Sequence, residues 1–564
     1  MDPSIGDTSP PISKLTDDIL HVIFSINADM ADDSLWSRND NKSYRALKVT
    51  RHTSQVSRYW RTFLLESPTI WAAVIDLELF RSSLENWREE VFRRCGRALL
   101  SVKGWVSWNA LTDKDALINF FDTCWDRMKH FHVEVAYAAL VGDETWLRIL
   151  SRPATFLRSF KFQLQYYDSN EVHQLFPSSH NPEATPFSNV APALRQFYQD
   201  PTTSISVLLR APWLARLRVL ELNFTSPQRP YATTIQVLDM LENLHLLEAL
   251  SISARYLSQS SSTDSRPRQI KLPRLHHLGV AGRGLDNCIY FLDHITPQRK
   301  CTLSLHSETN PSLGPADEIG YGEKVDSLAK HFSVYAKALD WHNAQALTLS
   351  LSNQSVYATI HGKSCNVNSR FLDPPDNFHM KFRVEQILDS KSRDFLPFLR
   401  SIPSSILGIL KVLDLHGLIS SPHPQLHDFL TSLLSVETLI TSNYAISRLL
   451  ESSRNYSACF PSLNTLKLRE FDNNRYGVST NQDTVMDFLQ WRTEGGRAIE
   501  ILDLTLFPDA CDQDFGFLEK VTGLRVRWRS RDGPVHEYVC GSGSPEMLDC
   551  RVYGFKFYGH GLAV

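Results

Sequence analysis

The sequence predicts an α/β protein. A short all-α module at the N-terminus is followed by a long repeat array, a right-handed α/β solenoid with a curved parallel sheet. Three observations predict this. A short signature recurs along most of the chain: an apolar residue, two variable ones, then an alternating apolar-x-apolar triplet. Residues 12–76 instead carry apolar residues at three-to-four spacing, the period of helices. Finally, 42% hydrophobic residues over 564 positions supply a large core and exclude a mainly disordered chain.

The elements follow in order. A Pro/Ser leader over 1–11 ends at Pro10-Pro11 and is expected to be disordered. Leu15, Ile19, Val22, Ile23 and Ile26 then form one apolar stripe of a helix. Thr16 stands at its N-cap, and Asp17 and Asp18 lie in the first turn, where the helix dipole favours negative charge. The polar stretch 27–44 reads as a loop. Val49, His52, Val56, Trp60, Phe63 and Leu64 predict a second helix, ended by Glu66-Ser67-Pro68. Trp71, just beyond that proline, is expected to pack internally.

These residues resemble the F-box, in the form found in F-box-like proteins of mushroom-forming fungi. LTDDILHVIF (15–24) is similar to the family's LPPEILxxIF, and VSRYWRTFLLESPTIWAAV (56–74) to its VCRRWRxxALxxPxLWxxL. One departure is Thr16, where the family carries a proline that shapes the turn docking on the adaptor. The resemblance covers about a tenth of the chain. It implies that the module binds a Skp1-like adaptor and, through it, a cullin. A helical unit of about 60 residues is marginal on its own, so part of its apolar surface is expected to meet a partner. Leu15, Ile19, Leu20, Ile23, Val56 and Trp60 are the candidate adaptor-binding residues, because large apolar and aromatic anchors carry most of the energy of such interfaces.

Residues 87–105 continue as an amphipathic helix and a first strand, and 77–564 form an irregular repeat solenoid with long polar loops. The signature begins at Met128, Leu157, Leu217, Leu247, Leu275, Leu410, Val436, Leu463 and Ile499, with a weaker copy at Leu194. From 128 to 157, 217 to 247, 247 to 275, 410 to 436 and 436 to 463, the steps are 29, 30, 28, 26 and 27 residues. This is the LxxLxL core of a leucine-rich repeat, one strand and one return segment per unit. Degenerate copies are expected around 301–305, 347–351 and 378–384, and helices at 234–244, 316–339, 426–434 and 483–492. Stacked units bury one another's apolar faces in a single elongated core. The quoted leucines are therefore core, and Glu221, His277, Asp414, Lys467 and Asp503 between them receive no role. The polar runs 177–190, 258–272, 306–324 and 364–377 read as long surface loops.

Chemistry-bearing motifs are missing from the sequence. It contains no GxxxxGK[ST], GxSxG or HExxH, and GVAGRG (279–284) lacks dinucleotide-loop spacing. His276-His277 falls inside a repeat strand, where neighbours point to opposite faces, so the pair makes no metal site alone. RVRWRSR (525–531) reads as an edge strand with a basic outer face. With 59 Lys and Arg against 62 Asp and Glu, the net charge of −3 gives no general reason to bind nucleic acid or an anionic membrane. The nine scattered cysteines suggest neither a disulfide framework nor zinc. Neither a signal-peptide core nor an 18-residue apolar run is present, so a cytoplasmic or nuclear protein is expected. The expectation from sequence is a non-enzymatic adaptor without cofactor or metal that holds an unidentified protein substrate for a cullin-based ubiquitin ligase. The alternative is a leucine-rich-repeat scaffold whose F-box-like segment only caps the solenoid and has no ligase role.

Overall fold

The computed structural model describes residues 15–28, 30, 45–80, 84–106, 114–136, 143–165, 185–199, 204–224, 232–257, 269–296, 298–308, 321–339, 344–351, 355–361, 378–385, 399, 402, 404–416, 424–451, 459–469, 481–507, 513–529 and 534–551. The leader and most of the polar runs 27–44, 177–190, 258–272, 306–324 and 364–377 lie outside them. By internal contacts the chain divides into two compact units, one built mainly of residues 1–275 and the other mainly of 276–564.

The first unit opens with helices α1 (Asp17–Asn27), α2 (Arg45–Thr53), α3 (Arg58–Leu65) and α4 (Pro68–Ala72). The single second helix expected from the apolar period is two. The chain breaks after Thr53, and Ser57 restarts it as the N-cap of α3, its side chain accepting from the Trp60 amide at 3.1 Å. The side-chain oxygens of Ser, Thr and Asp compete for backbone groups and favour such caps, which apolar spacing alone does not register. Thr16 does occupy the N-cap of α1, but its side chain makes no capping bond.

The sheet of this unit follows in chain order. Its strands are β1 (Ile75–Asp76), β2 (Leu100–Val106), β3 (Met128–Ala136), β4 (Ser159–Gln165), β5 (Gln196–Gln199), β6 (Val219–Asn223) and β7 (Ala249–Ala254), each parallel to the next. Helix α5 (Glu85–Cys95) precedes β2, and α6 (Lys114–Cys124), α7 (Asp143–Leu150), α8 (Ile205–Leu208) and α9 (Thr234–Leu241) carry the chain back between strands. Each LxxLxL unit after the first lays down one strand, beginning two residues after its first apolar position. Leu157, Leu194, Leu217 and Leu247 are fully buried at these positions. One register row reads Val102, Phe131, Phe160, Phe197, Leu220, Leu250 across six strands. Within it Phe131, Phe160 and Phe197 stack nearly parallel, with centroids 5.5 and 5.6 Å apart.

The second unit holds β8 (His277–Arg283), β9 (Thr302–Glu308), β10 (Ala346–Leu351), β11 (Ser355–His361), β12 (Phe378–Glu385), β13 (Val412–His416), β14 (Thr438–Thr441), β15 (Thr465–Leu468), β16 (Ile501–Asp503), β17 (Arg525–Arg529) and β18 (Val535–Val539). Its returning helices are α10 (Leu285–His294), α11 (Tyr321–Ala338), α12 (Ser404–Leu407), α13 (Pro424–Thr431), α14 (Asn443–Glu451) and α15 (Asn481–Glu494). The pairing order is β8-β9-β12-β11-β10-β13 and then β14 to β18 in sequence. All pairs are parallel except those of β11 and β18. The degenerate copies near 301, 347 and 378 are thus strands, but they are not three successive repeats. After β9 the chain skips two places to β10, turns back through β11, and inserts β12 beside β9. The row Leu347, Leu413, Leu439, Leu466, Leu502, Val526 is fully buried across six strands and forms the core of this unit.

The RVRWRSR strand is not an edge. β17 lies between β16 and the antiparallel β18, with Val526 and Trp528 fully buried. The next strand, β18, covers it, a pairing that the alternation within a single strand does not show.

Candidate docking surface

Helix α1 has two apolar faces. Leu20 and Phe24 are 0% and 2% exposed, and Ala28 just past the helix end is buried with them. Phe24 meets the Trp60 ring edge-on at 5.0 Å and Phe63 at 5.8 Å, so α3 packs on this face. At 100° per residue the stripe Leu15, Ile19, Val22, Ile23, Ile26 is centred about 135° round the helix from that face. Four of its members are bare: Ile19 at 47%, Val22 at 58%, Ile23 at 37% and Ile26 at 68% exposed. Leu15, just ahead of the helix, is half-buried.

Of the six residues singled out in the sequence, Ile19 and Ile23 come together on this outer strip. Val56 is exposed in the turn before α3, and Trp60 is half-buried against Phe24. Leu20 is the correction: it belongs to the module's own core and offers no surface. Val22 and Ile26 were legible as stripe members but not as candidates. Val49, a stripe member of the second predicted helix, is also exposed, as are Tyr59 and Leu65, which carried no signal beyond their own apolar character. The Tyr59 hydroxyl donates to Asp17, tying the start of α3 to the start of α1. That hydrogen bond, with lesser help from burial and the nearby charge, raises the Tyr59 phenol above its usual range.

The module is joined to the first strand unit by aromatic and cationic groups. Trp71 is fully buried, with its indole N–H donating to the Leu64 carbonyl at 2.8 Å. Its ring meets Trp87 of α5 edge-on at 6.1 Å, and the Arg94 guanidinium lies 4.4 Å from its centroid. Arg93 and Arg94 in turn bind Glu90 and hold its carboxyl down at about 2. Gly104 in β2 lies against the segment after β1: a β-carbon there would stand 2.6 Å from Leu77 Cβ and 2.8 Å from its nitrogen. The buried Lys103 ammonium donates to the Met30 carbonyl beyond α1.

The residues between the apolar strand positions were left without a role in the sequence, and in the second unit they form a charge ladder. Asp414, Ile440, Lys467, Asp503, Arg527 and Glu537 share one register row. Lys467 reaches Asp503 at 2.9 Å, Arg527 pairs with Glu537, and Asp414 takes Arg469 and His416, the latter at 3.0 Å. Burial pushes the Asp414 carboxyl up, but His416 and Arg469 outweigh it and hold the group below its usual value. The corresponding row of the first unit reads Asp76, Lys103, His132, Lys161, Tyr198, Glu221, Ser251. Burial, then Lys103, Lys161 and His130, keep His132 well below the usual imidazole value. Its Nε2 lies 2.6 Å from the Ser159 hydroxyl.

Among the described residues no group of three or more His, Cys, Asp and Glu is placed to hold a metal ion, and no helix is long and apolar enough to cross a membrane. No family model and no curated protein matches the chain. Among solved structures the chain is similar to the leucine-rich repeat-containing protein LegL7 from Legionella pneumophila. The two are 13% identical, and the match covers 72% of this chain and 93% of that one with a TM-score of 0.27, a likeness too slight to carry an argument.

Proposed function

We propose that this chain is the substrate-recognition adaptor of a cullin-based ubiquitin ligase, with its N-terminal module acting as an F-box that docks on a Skp1-like protein. The repeats hold a protein substrate, and catalysis belongs to other subunits. The chain then acts by raising the effective concentration of substrate beside the ligase. The observation that carries this reading is the outer strip of α1, with Ile19, Val22, Ile23 and Ile26 exposed on a helix already anchored by Leu20 and Phe24. A folded module gains nothing from four bare apolar side chains on one face, whereas a helix-on-helix interface uses them as anchors. The full chain mixed with a purified Skp1-type adaptor should co-elute from a sizing column, and the double variant Ile19→Asp/Ile23→Asp should elute alone. Failure of the unaltered chain to co-elute overturns the reading.

The joint of Trp71, Trp87 and Arg94, with Lys103 reaching Met30, favours a second role for the same module as the cap of the first unit. Removing residues 1–75 would then lower the melting temperature of the remaining chain. A module that only docks would leave it unchanged.

A further inference from the structure

On the far side of α2 from Val49, a cavity of about 340 Å³ opens between α2 and the start of α5. That volume is at the lower end of the roughly 300–1,000 Å³ common for small-ligand sites. Its walls are apolar: Leu47 and Leu79 are nearly fully buried, and Leu84 and Trp87 are half-buried. Its rim is basic. Lys48, Arg51 and His52 line it from one face of α2, and among the described residues no acidic one lines it. The Arg51 guanidinium sits 5.1 Å from the Trp87 ring centroid, and neither Arg51 nor His52 has an acidic partner among the described residues. Glu85, the acid at the start of α5, is mostly exposed and is paired with Arg88 at 4.0 Å.

We propose that this slot binds a small amphipathic anion, its apolar body against Leu47, Leu79, Leu84 and Trp87 and its carboxylate or phosphate held by Arg51 and His52. The charge pattern selects the ligand. Apolar walls alone would accept any oil-like molecule, but the Arg51 guanidinium, with the donor N–H of the His52 ring beside it, favours one with an anionic head at one end. This proposal is independent of adaptor docking, because none of the described residues lining the slot belongs to the outer strip of α1.

Calorimetric titration of the full chain tests it with four probes: decanoate, decyl phosphate, decanol and acetate. Decanoate or decyl phosphate should bind saturably at one site per chain, and the stronger of the two identifies the head group. Decanol should bind at least tenfold more weakly, and acetate should give no measurable heat. Arg51→Ala/His52→Ala, at exposed positions, should weaken the anionic probes at least tenfold and leave decanol unchanged. Leu84→Trp should fill the slot and remove binding of both kinds, with an unchanged far-UV spectrum as the check on folding. Equal affinity for decanol and decanoate, anion binding unaffected by the double variant, or uptake without saturation would overturn the proposal.

Discussion

Truncating Leu20 to alanine should loosen α1, while placing a charge at its neighbour Ile19 should not. Leu20 is fully buried beneath α1, on the face where Phe24 meets Trp60 and Phe63. Removing such a side chain costs about 2–5 kcal/mol, the spread reflecting how far the site collapses around the cavity. At about 3 kcal/mol, the local opening constant of the helix rises about 150-fold. Ile19 is already half in water. Ile19→Asp therefore forfeits only part of the roughly 1.5–3 kcal/mol that full burial supplies, about 1 kcal/mol at most, or about fivefold in opening. Its new carboxylate also lies in the first turn, where the dipole offsets some of that loss. The assay is native-state hydrogen exchange at the Ala28 amide, which donates to the Phe24 carbonyl at 2.9 Å and opens with the helix. Local exchange suits a 564-residue chain in two units, for which a single global unfolding free energy is not defined. Equal acceleration by the two substitutions, or a larger effect from Ile19→Asp, would refute the assignment of inner and outer faces.

Three further outcomes follow from buried groups. Gly104→Ala has no room against Leu77 and strains a backbone at φ +148°, so it should destabilise the start of the sheet by about 2–5 kcal/mol, read as faster exchange of β2 amides. His277 is fully buried. Its Nδ1 lies 3.0 Å from the Thr302 hydroxyl, which itself donates to the His276 carbonyl, so the imidazole is the donor. Burial, and then His276, lower its pKa to about 3. The unfolded chain therefore takes up a proton that the folded one refuses as pH falls below about 6.5. Stability is lost through that window, about 2 kcal/mol by pH 5, and His277→Gln should flatten the fall in melting temperature between pH 7 and pH 5. Arg492 is 3% exposed and donates to the carbonyls of Cys459, Phe460, Leu463 and Arg497 at 3.1–3.2 Å. Arg492→Met should orphan these carbonyls and cost about 3–5 kcal/mol, seen as early protease cleavage around 459–463.

The repeat strands were legible because their signal is local. An apolar residue three positions ahead of an alternating triplet marks a strand start whatever surrounds it, and Leu157, Leu217, Leu410 and Leu463 all lie where that pattern puts them. The strand order around β10 to β12 was not legible, because an antiparallel turn-back and a parallel repeat show the same alternation in a single strand. In the module, periodicity located an apolar stripe but not its direction. Helix α1 is apolar on both sides, so the spacing that grouped Ile19 with Ile23 says nothing about which side α3 covers. Leu20 therefore reads from sequence as a surface anchor, whereas it is core. The break before Ser57 depends on a single hydroxyl, and the cationic slot on α2 needs Leu79, Leu84 and Trp87 from a distant stretch. Tertiary contact alone brings those residues together.

The role proposed for the N-terminal module rests on docking through the outer strip of α1. The direct measurement is the equilibrium affinity of the purified full chain for a Skp1-type adaptor, with Ile19→Asp/Ile23→Asp beside it and Leu434→Asp, an exposed leucine of the second unit, as control. Docking through this strip should give saturable one-to-one binding, weakened at least tenfold by the α1 pair and unchanged by the control. Absence of saturable binding, or equal binding by all three proteins, would contradict it.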